Sequence, residues 1–208
     1  MMKKYITIFL VTGISYGCNN TKDPSSVTSV NRDTAQRQIP TKDTSAVSAE
    51  SIFSITDTFQ SQNKKNFVLS SLKGKPTVVG MIFTSCGYAC PRLTSDMRNI
   101  AGELKGDRAR VNFVQVSFDT DRDNPDELKK FAKQMGLDDN WILLHGSEET
   151  VRTLSVLLNV QFEKDAEGNF SHSNVISVLD RNGVLAFQKE GLEADHDETM
   201  GKIEDLLK

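Results

Sequence analysis

An α/β fold, with a central mixed β-sheet flanked by helices, is predicted by three features of this 208-residue chain. From Ser51 onward, apolar runs of strand length alternate with segments whose apolar residues recur at helical spacing. The longest run, residues 77–83, is apolar almost throughout, as suits a strand buried on both faces. Two cysteines, Cys86 and Cys90, stand where that run gives way to a helical pattern. With 38% hydrophobic and 25% charged residues, the composition is that of a globular protein, and the length suits one domain with an appendage.

Taken in order, residues 52–55 and 67–69 are short strand-like pieces, and Leu72-Lys73-Gly74-Lys75-Pro76 reads as a turn into the 77–83 strand. Leu93, Met97, Ile100, Ala101 and Leu104 predict the first helix, and residues 111–118 a second buried strand. Pro125 opens a helix to Met135, with Asn124 or Asp123 as its cap, Glu127 in the first turn and Gly136 closing it. Next come a strand at 141–144, a helix at 148–158 capped by Ser147, and a strand at 174–179. Asp180-Arg181-Asn182-Gly183 is a hairpin turn into 184–189, and a last helix covers 195–207. Strand, helix and strand joined by a cysteine motif, then further helices and a closing hairpin, form the thioredoxin-like layout.

The front of the chain has a different texture. Residues 1–17 read as a lipoprotein-type signal peptide: Lys3 and Lys4 supply the positive start, residues 5–14 a short apolar stretch, and small residues precede Cys18. The stretch is too short to span a bilayer comfortably. A cysteine at that point resembles the bacterial lipobox, with Ser15 where leucine is usual; the competing reading is an ordinary cleaved signal. Residues 18–50, rich in Ser, Thr, Asp, Lys and Gln, read as a flexible tether, and 51–208 as the working domain. These features predict a membrane-anchored lipoprotein of the bacterial cell envelope, its domain in the periplasm or extracytoplasmic space, as a monomer. Removal of the signal takes two lysines and no acid from a chain of formal charge −3, and an acidic domain is no candidate for nucleic-acid binding.

With three cysteines in total and Cys18 assigned to lipid, only Cys86 and Cys90 remain. The domain is therefore no disulfide-stapled scaffold. Sulfurs four residues apart share one face if the segment begins a helix, and a helix N-terminus favours thiolate, the form that binds metal or attacks disulfides. A structural disulfide formed on export is the bland alternative.

Four motifs in order carry a resemblance: Leu72-Lys73-Gly74-Lys75, Cys86-Gly87-Tyr88-Ala89-Cys90-Pro91, Ser117-Phe118-Asp119-Thr120-Asp121-Arg122-Asp123-Asn124-Pro125, and His172-Ser173 leading to Asp180-Arg181-Asn182-Gly183. Together they resemble the Sco/SenC family of copper-handling proteins. The chain departs from the family pattern at Gly87, Tyr88, Thr120 and Ser171, none a proposed ligand. The resemblance implies a copper site of Cys86, Cys90 and His172, holding Cu(I), Cu(II) or both. It also implies a metallochaperone role in assembling a copper-containing respiratory enzyme such as cytochrome c oxidase, with a copper-accepting subunit as partner. Residue chemistry agrees: thiolates suit Cu(I), imidazole adds a ligand able to hold Cu(II), and two sulfurs can cycle between dithiol and disulfide. The alternative is a thiol-disulfide oxidoreductase in which Cys86 and Cys90 are the redox-active, catalytic pair and no metal is carried.

Other residues receive plainer readings. No proline follows Pro125, so the cis-proline of exchange enzymes has no candidate, and His172 is expected in the loop before the 174–179 strand. His145 and His196 read as structural or solvated. Asp119, Asp121 and Asp123 read as capping groups with an Arg122 ion pair rather than a calcium loop, which would need a glycine and a terminal glutamate. Met97 reads as core packing, and Tyr88 as a shield over the sulfurs. Trp141 and Arg92 offer a peroxidase partner, but the cysteine spacing is wrong for one.

Overall fold

The computed structural model of the protein describes residues 48–193 and 195–208. The signal at 1–17, the acylation site at Cys18 and all but the last residues of the 18–50 tether lie outside that range. The strands are β1 (Phe59–Ser61), β2 (Asn66–Phe67), β3 (Thr77–Ile82), β4 (Asn112–Ser117), β5 (Trp141–His145), β6 (Phe162–Lys164), β7 (Phe170–His172), β8 (Val175–Leu179) and β9 (Leu185–Glu190). The α-helices are α1 (Ala89–Glu103), α2 (Pro125–Gln134), α3 (Glu148–Leu157) and α4 (Asp197–Leu207).

Seven strands form one mixed sheet in the order β2-β1-β5-β4-β3-β8-β9. Its middle is parallel: β3 pairs with β4 from Thr77↔Asn112 to Ile82↔Ser117, and β4 with β5. On the other side of β3, β8 runs antiparallel and leads through a hairpin to β9. All six residues of β3 are buried, the consequence of helices covering both faces. Alternation divides its side chains between two cores. Val78 and Ile82 join Leu93, Met97 and Ile100 of α1, whereas Val79 and Met81 join Val151 and Leu154 of α3. Between them Gly80 lets α1 approach, since a Cβ there would lie 2.9 Å from Met97 Sδ.

The predicted alternation is present, with helix ends as expected. Asn124 caps α2 through its side-chain oxygen, which accepts from Asp126 N and Glu127 N, and Ser147 Oγ accepts from Thr150 N at the start of α3. Gly136 follows α2 in the left-handed region at φ +63°, where glycine carries little strain. Two expectations fail. Residues 52–55 are not a strand: Ile52–Ser54 is a 3-10 turn with Ser51 Oγ accepting from Phe53 N, although Ile52 and Phe53 are buried as a strand would have had them. Of residues 67–69 only Phe67 lies in a strand, because Leu69–Leu72 is a second 3-10 turn. Two pairings were not anticipated, β1 with β2 and β6 with β7, the latter forming a separate two-stranded ribbon.

Candidate metal centre

The cysteine loop leaves the C-terminal end of β3, the end where parallel α/β sheets present their chemistry. Cys86 precedes α1 and Cys90 stands within its first turn, so the two sulfurs do not share a helical face as the spacing predicted. They meet through the backbone instead: Cys90 N donates to Cys86 Sγ at 3.3 Å, and Phe83 N donates to Cys90 Sγ at 3.4 Å. Both cysteines are free thiols. Below them Thr94 Oγ1 donates to Cys90 O at 2.8 Å and accepts from Gln115 Nε2 at 2.8 Å, joining the first turn of α1 to β4.

A buried carboxylate fixes the start of the loop. Asp123, 1% exposed, accepts from Thr84 N at 2.8 Å, from Thr84 Oγ1 at 2.5 Å and from Ser117 Oγ at 2.6 Å. The loop after β3 is thus tied to the end of β4, its neighbour in the sheet. Each donor would cost about 1–3 kcal/mol if left buried and unpaired.

The two thiols differ in acidity. Partial burial works to raise the Cys86 pKa, but the amides of Cys90, Tyr88 and Ala89 and the Cys90 thiol outweigh it, and the result lies below the ordinary value. Burial dominates at Cys90, fully enclosed, and with the nearby Cys86 and Asp123 it holds that thiol far above the ordinary value despite the Phe83 amide. The expectation that a helix N-terminus favours both thiolates therefore holds for Cys86 alone.

His172 ends β7 rather than lying in a loop. It pairs with Phe162 of β6, and its ring packs against Phe83 and Phe118, with centroids 5.8 and 5.2 Å away. Its Nδ1 lies 3.2 Å from Ser173 O. A proton shared with that carbonyl leaves Nε2 as the free lone pair, the usual way a ligating histidine is oriented. One donor atom from each of Cys86, Cys90 and His172 lies within 4.8 Å of the others. Among the described residues no other group of three His, Cys, Asp or Glu side chains is placed to hold a metal ion.

The remaining candidates fall elsewhere. His145 ends β5 with a buried Nδ1 that has no partner among the described residues, and His196 Nε2 lies 3.7 Å from Asp96 Oδ1. Asp119 pairs with Arg122, as expected, whereas Asp123 serves the cysteine loop rather than a helix cap. Met97 Sδ lies 3.7 Å from Gln115 Nε2 in the core. Tyr88 is 63% exposed, and its ring stacks on the Arg92 guanidinium at 3.7 Å. Trp141 pairs with Phe113 at the start of β4, the opposite end of the sheet from the thiols, which removes it as a peroxidase partner. There is no cis peptide bond among the described residues. Sequence reading missed Thr84, Ser117 and the β6–β7 ribbon; the signal for the ribbon was alternating Phe162-Glu163-Lys164 and Phe170-Ser171-His172 around a turn containing Gly168.

Residues 43–208 match the SCO1/SenC family. A SCO1 protein homolog of Bacillus subtilis is 39% identical over 140 residues, which is 65% of this chain and 72% of that relative. The crystal structure of a SCO1/SenC family lipoprotein from Bacillus anthracis superimposes with a TM-score of 0.68 at 29% identity, over 74% of this chain and 94% of that one. BsSco, described as a member of the Sco family of cytochrome c oxidase assembly proteins and as having a disulfide switch, superimposes with a TM-score of 0.64 at 28% identity, over 72% and 90%. The family match spans the cysteine loop and the histidine ribbon alike, and on it and the 39% identity to the Bacillus subtilis relative the chain belongs to the SCO1/SenC family.

Proposed function

We propose that this protein binds copper through Cys86, Cys90 and His172 and passes it to a subunit of a copper-containing respiratory enzyme, such as cytochrome c oxidase. The observation that carries the reading is the convergence of two thiols, at residues 86 and 90, and one imidazole, at residue 172, to within 4.8 Å. The donor set fits the metal. Thiolate sulfur selects Cu(I) over hard cations, and imidazole extends the site to Cu(II). Cys86, half-exposed and easily ionised, is the sulfur that meets an incoming ion first, and Cys90 releases its proton when the ion arrives. Family membership and the oxidase-assembly role described for BsSco support the choice of client.

Copper titration of the reduced protein, followed by spectroscopy of the Cu(II) form, tests the reading. One equivalent is expected to bind, with sulfur-to-copper charge transfer and nitrogen hyperfine structure. Cys86→Ser and Cys90→Ser should abolish tight binding, and His172→Ala should remove the nitrogen signature. A reduced protein that holds no copper against a mild chelator sinks the proposal.

The unequal thiols favour a second reading, a thiol-disulfide oxidoreductase. Cys86 thiolate would attack a client disulfide, forming a mixed disulfide and releasing one client thiolate. Cys90, deprotonated, would then attack Cys86 Sγ, releasing the second client thiolate and leaving the Cys86–Cys90 disulfide. Client reduction that survives His172→Ala but not Cys90→Ser would favour this reading over metal delivery. In either role residues 1–17 act as a lipoprotein signal, Cys18 as the acylated residue, 18–50 as the tether and 51–208 as a monomeric extracytoplasmic domain. Cys18→Ser should move the protein from the membrane fraction to the soluble one.

A further inference from the structure

No backbone hydrogen bond among the described residues joins the ribbon that carries His172 to the loop that carries the cysteines. The ribbon has two strands of three residues each, which among the described residues pair only with one another, and a two-stranded ribbon of that size is marginal in water. Short links to α3 and β8 anchor its open end, and beyond them side chains set its place against the cysteine loop. Its apolar face rests on the body of the domain, Phe162 stacking on Phe118 at 5.0 Å and Phe170 lying 5.2 Å from Phe83. Aromatic contacts hold the ribbon down, but they fix its tilt and slide weakly, because dispersion and burial are not directional.

Directional contacts lie at the turn end. Arg122 donates from Nη2 to Gly168 O at 2.9 Å, and its Nε donates to the Asp119 carboxylate. Lys164, on β6, bonds to Asp121 at 2.7 Å and lies 3.9 Å from Asp119 Oδ1. Asp119 is fully buried, and its Oδ1 has no hydrogen-bond partner among the described residues, where these two cations compensate its charge. The residue after Arg122 is Asp123, which reaches back to Thr84 at the start of the cysteine loop. Neighbouring residues of one segment thus grip the two halves of the metal centre.

We propose that Arg122, supported by Lys164, is a positioning residue for the His172 donor. It clamps the turn of the ribbon to the segment that Asp123 ties to the cysteine loop, and so holds the imidazole at coordination reach of the sulfurs. The proposal rests on the copper reading of Cys86, Cys90 and His172. Arg122 touches no donor atom; it acts through the ribbon, and outer groups that orient a ligand in this way are worth about 10–100-fold in metal affinity.

The test compares full-length wild type, Arg122→Gln, Lys164→Gln and His172→Ala, each reduced and then loaded with Cu(I) or Cu(II). Arg122→Gln should weaken Cu(II) retention about 10–100-fold and diminish the nitrogen hyperfine structure, while binding of Cu(I) by the thiols changes far less. In the metal-free protein the amides of residues 170–172 should exchange faster, with those of residues 78–80 unaltered. Lys164→Gln should shift the same readings in the same direction by less; it keeps the Arg122–Asp119 pair and decides the matter should Arg122→Gln fail to fold. Variants that match wild type in Cu(II) affinity, nitrogen signature and exchange overturn the clamp. Equal loss of Cu(I) and Cu(II) binding overturns it too, because that is the mark of general destabilisation. A wild type without the nitrogen signature instead refutes the copper reading beneath it.

Discussion

Cys90 and His172 reach the same point from supports of different kinds. Cys90 stands in the first turn of a 15-residue helix packed on β3, an interior strand of a seven-stranded sheet. Its sulfur accepts a backbone amide, and the loop before it is tied by a buried carboxylate to the next strand. His172 ends a three-residue strand whose strand partner among the described residues is equally short, and aromatic packing with a few polar contacts locates it. The difference assigns different costs to change. Damage beside the cysteines is felt by the whole domain, because loop, helix and sheet open together; damage to the ribbon can be absorbed locally.

Asp123→Asn should break that contrast most severely from the cysteine side. The amide keeps the shape but lacks the charge that three donors share, and its NH2 faces groups that also donate. A loss of about 3 kcal/mol in urea unfolding is expected, with faster alkylation of Cys90 as the loop loosens. A loss below about 1 kcal/mol would mean that the Thr84–Ser117 brace is not what supports the sulfurs.

The same contrast explains what could be read in the sequence. Strands β3 and β4 and helix α1 were legible because burial on two faces, or on one helical stripe, imposes a pattern over six to fifteen residues. Cys86, Cys90 and His172 were legible as residues through the family resemblance. Their supports were not. A strand such as Phe170–His172 is too short for period-two alternation to stand out, and it exists because Phe118 and Phe83, far away in sequence, offer it a surface. Residues 52–55 misled for a related reason: burial of Ile52 and Phe53 is what a strand would give, but the backbone bonds of Ser51 to Ser54 close a 3-10 turn. In sequence Asp123 resembles a cap because Asn124 and Pro125 beside it do begin a helix, and nothing local marks a carboxylate turned towards a loop 39 residues earlier.

Alkaline pH sharpens the comparison with a smaller effect. Cys90 has its folded pKa raised above the ordinary thiol value of 9.0, so its contribution to stability is complete below about pH 9 and is lost as pH rises beyond it. Cys86 has the opposite sign: its contribution is present above the ordinary value and is lost only as pH falls through its lowered pKa. The two windows hardly overlap. Reduced wild type should therefore lose about 1.4 kcal/mol relative to Cys90→Ser between pH 8 and pH 10, read as the change in their difference in unfolding free energy. An unchanged difference would show that Cys90 is better solvated than its burial implies.

The smallest effect should come from Tyr88, the residue between the cysteines that looks most like a gate. The residue is 63% exposed and its ring lies on the Arg92 guanidinium, which is paired in turn with Glu193 at 2.9 Å on the surface. Exposed cation–π contacts and surface ion pairs are each worth about 0.5–1 kcal/mol or less. Removing the ring takes little apolar area out of protection. Tyr88→Ala should stay within about 0.5 kcal/mol of wild type in unfolding, and the alkylation rate of Cys86 should barely move, because the amides that make its thiolate accessible belong to the backbone of the loop. A several-fold rise in that rate would restore the shield. It would also mean that one side chain governs access on the cysteine side of the centre, just as side chains govern position on the histidine side, and the division between a backbone-built half and a side-chain-built half would then fail.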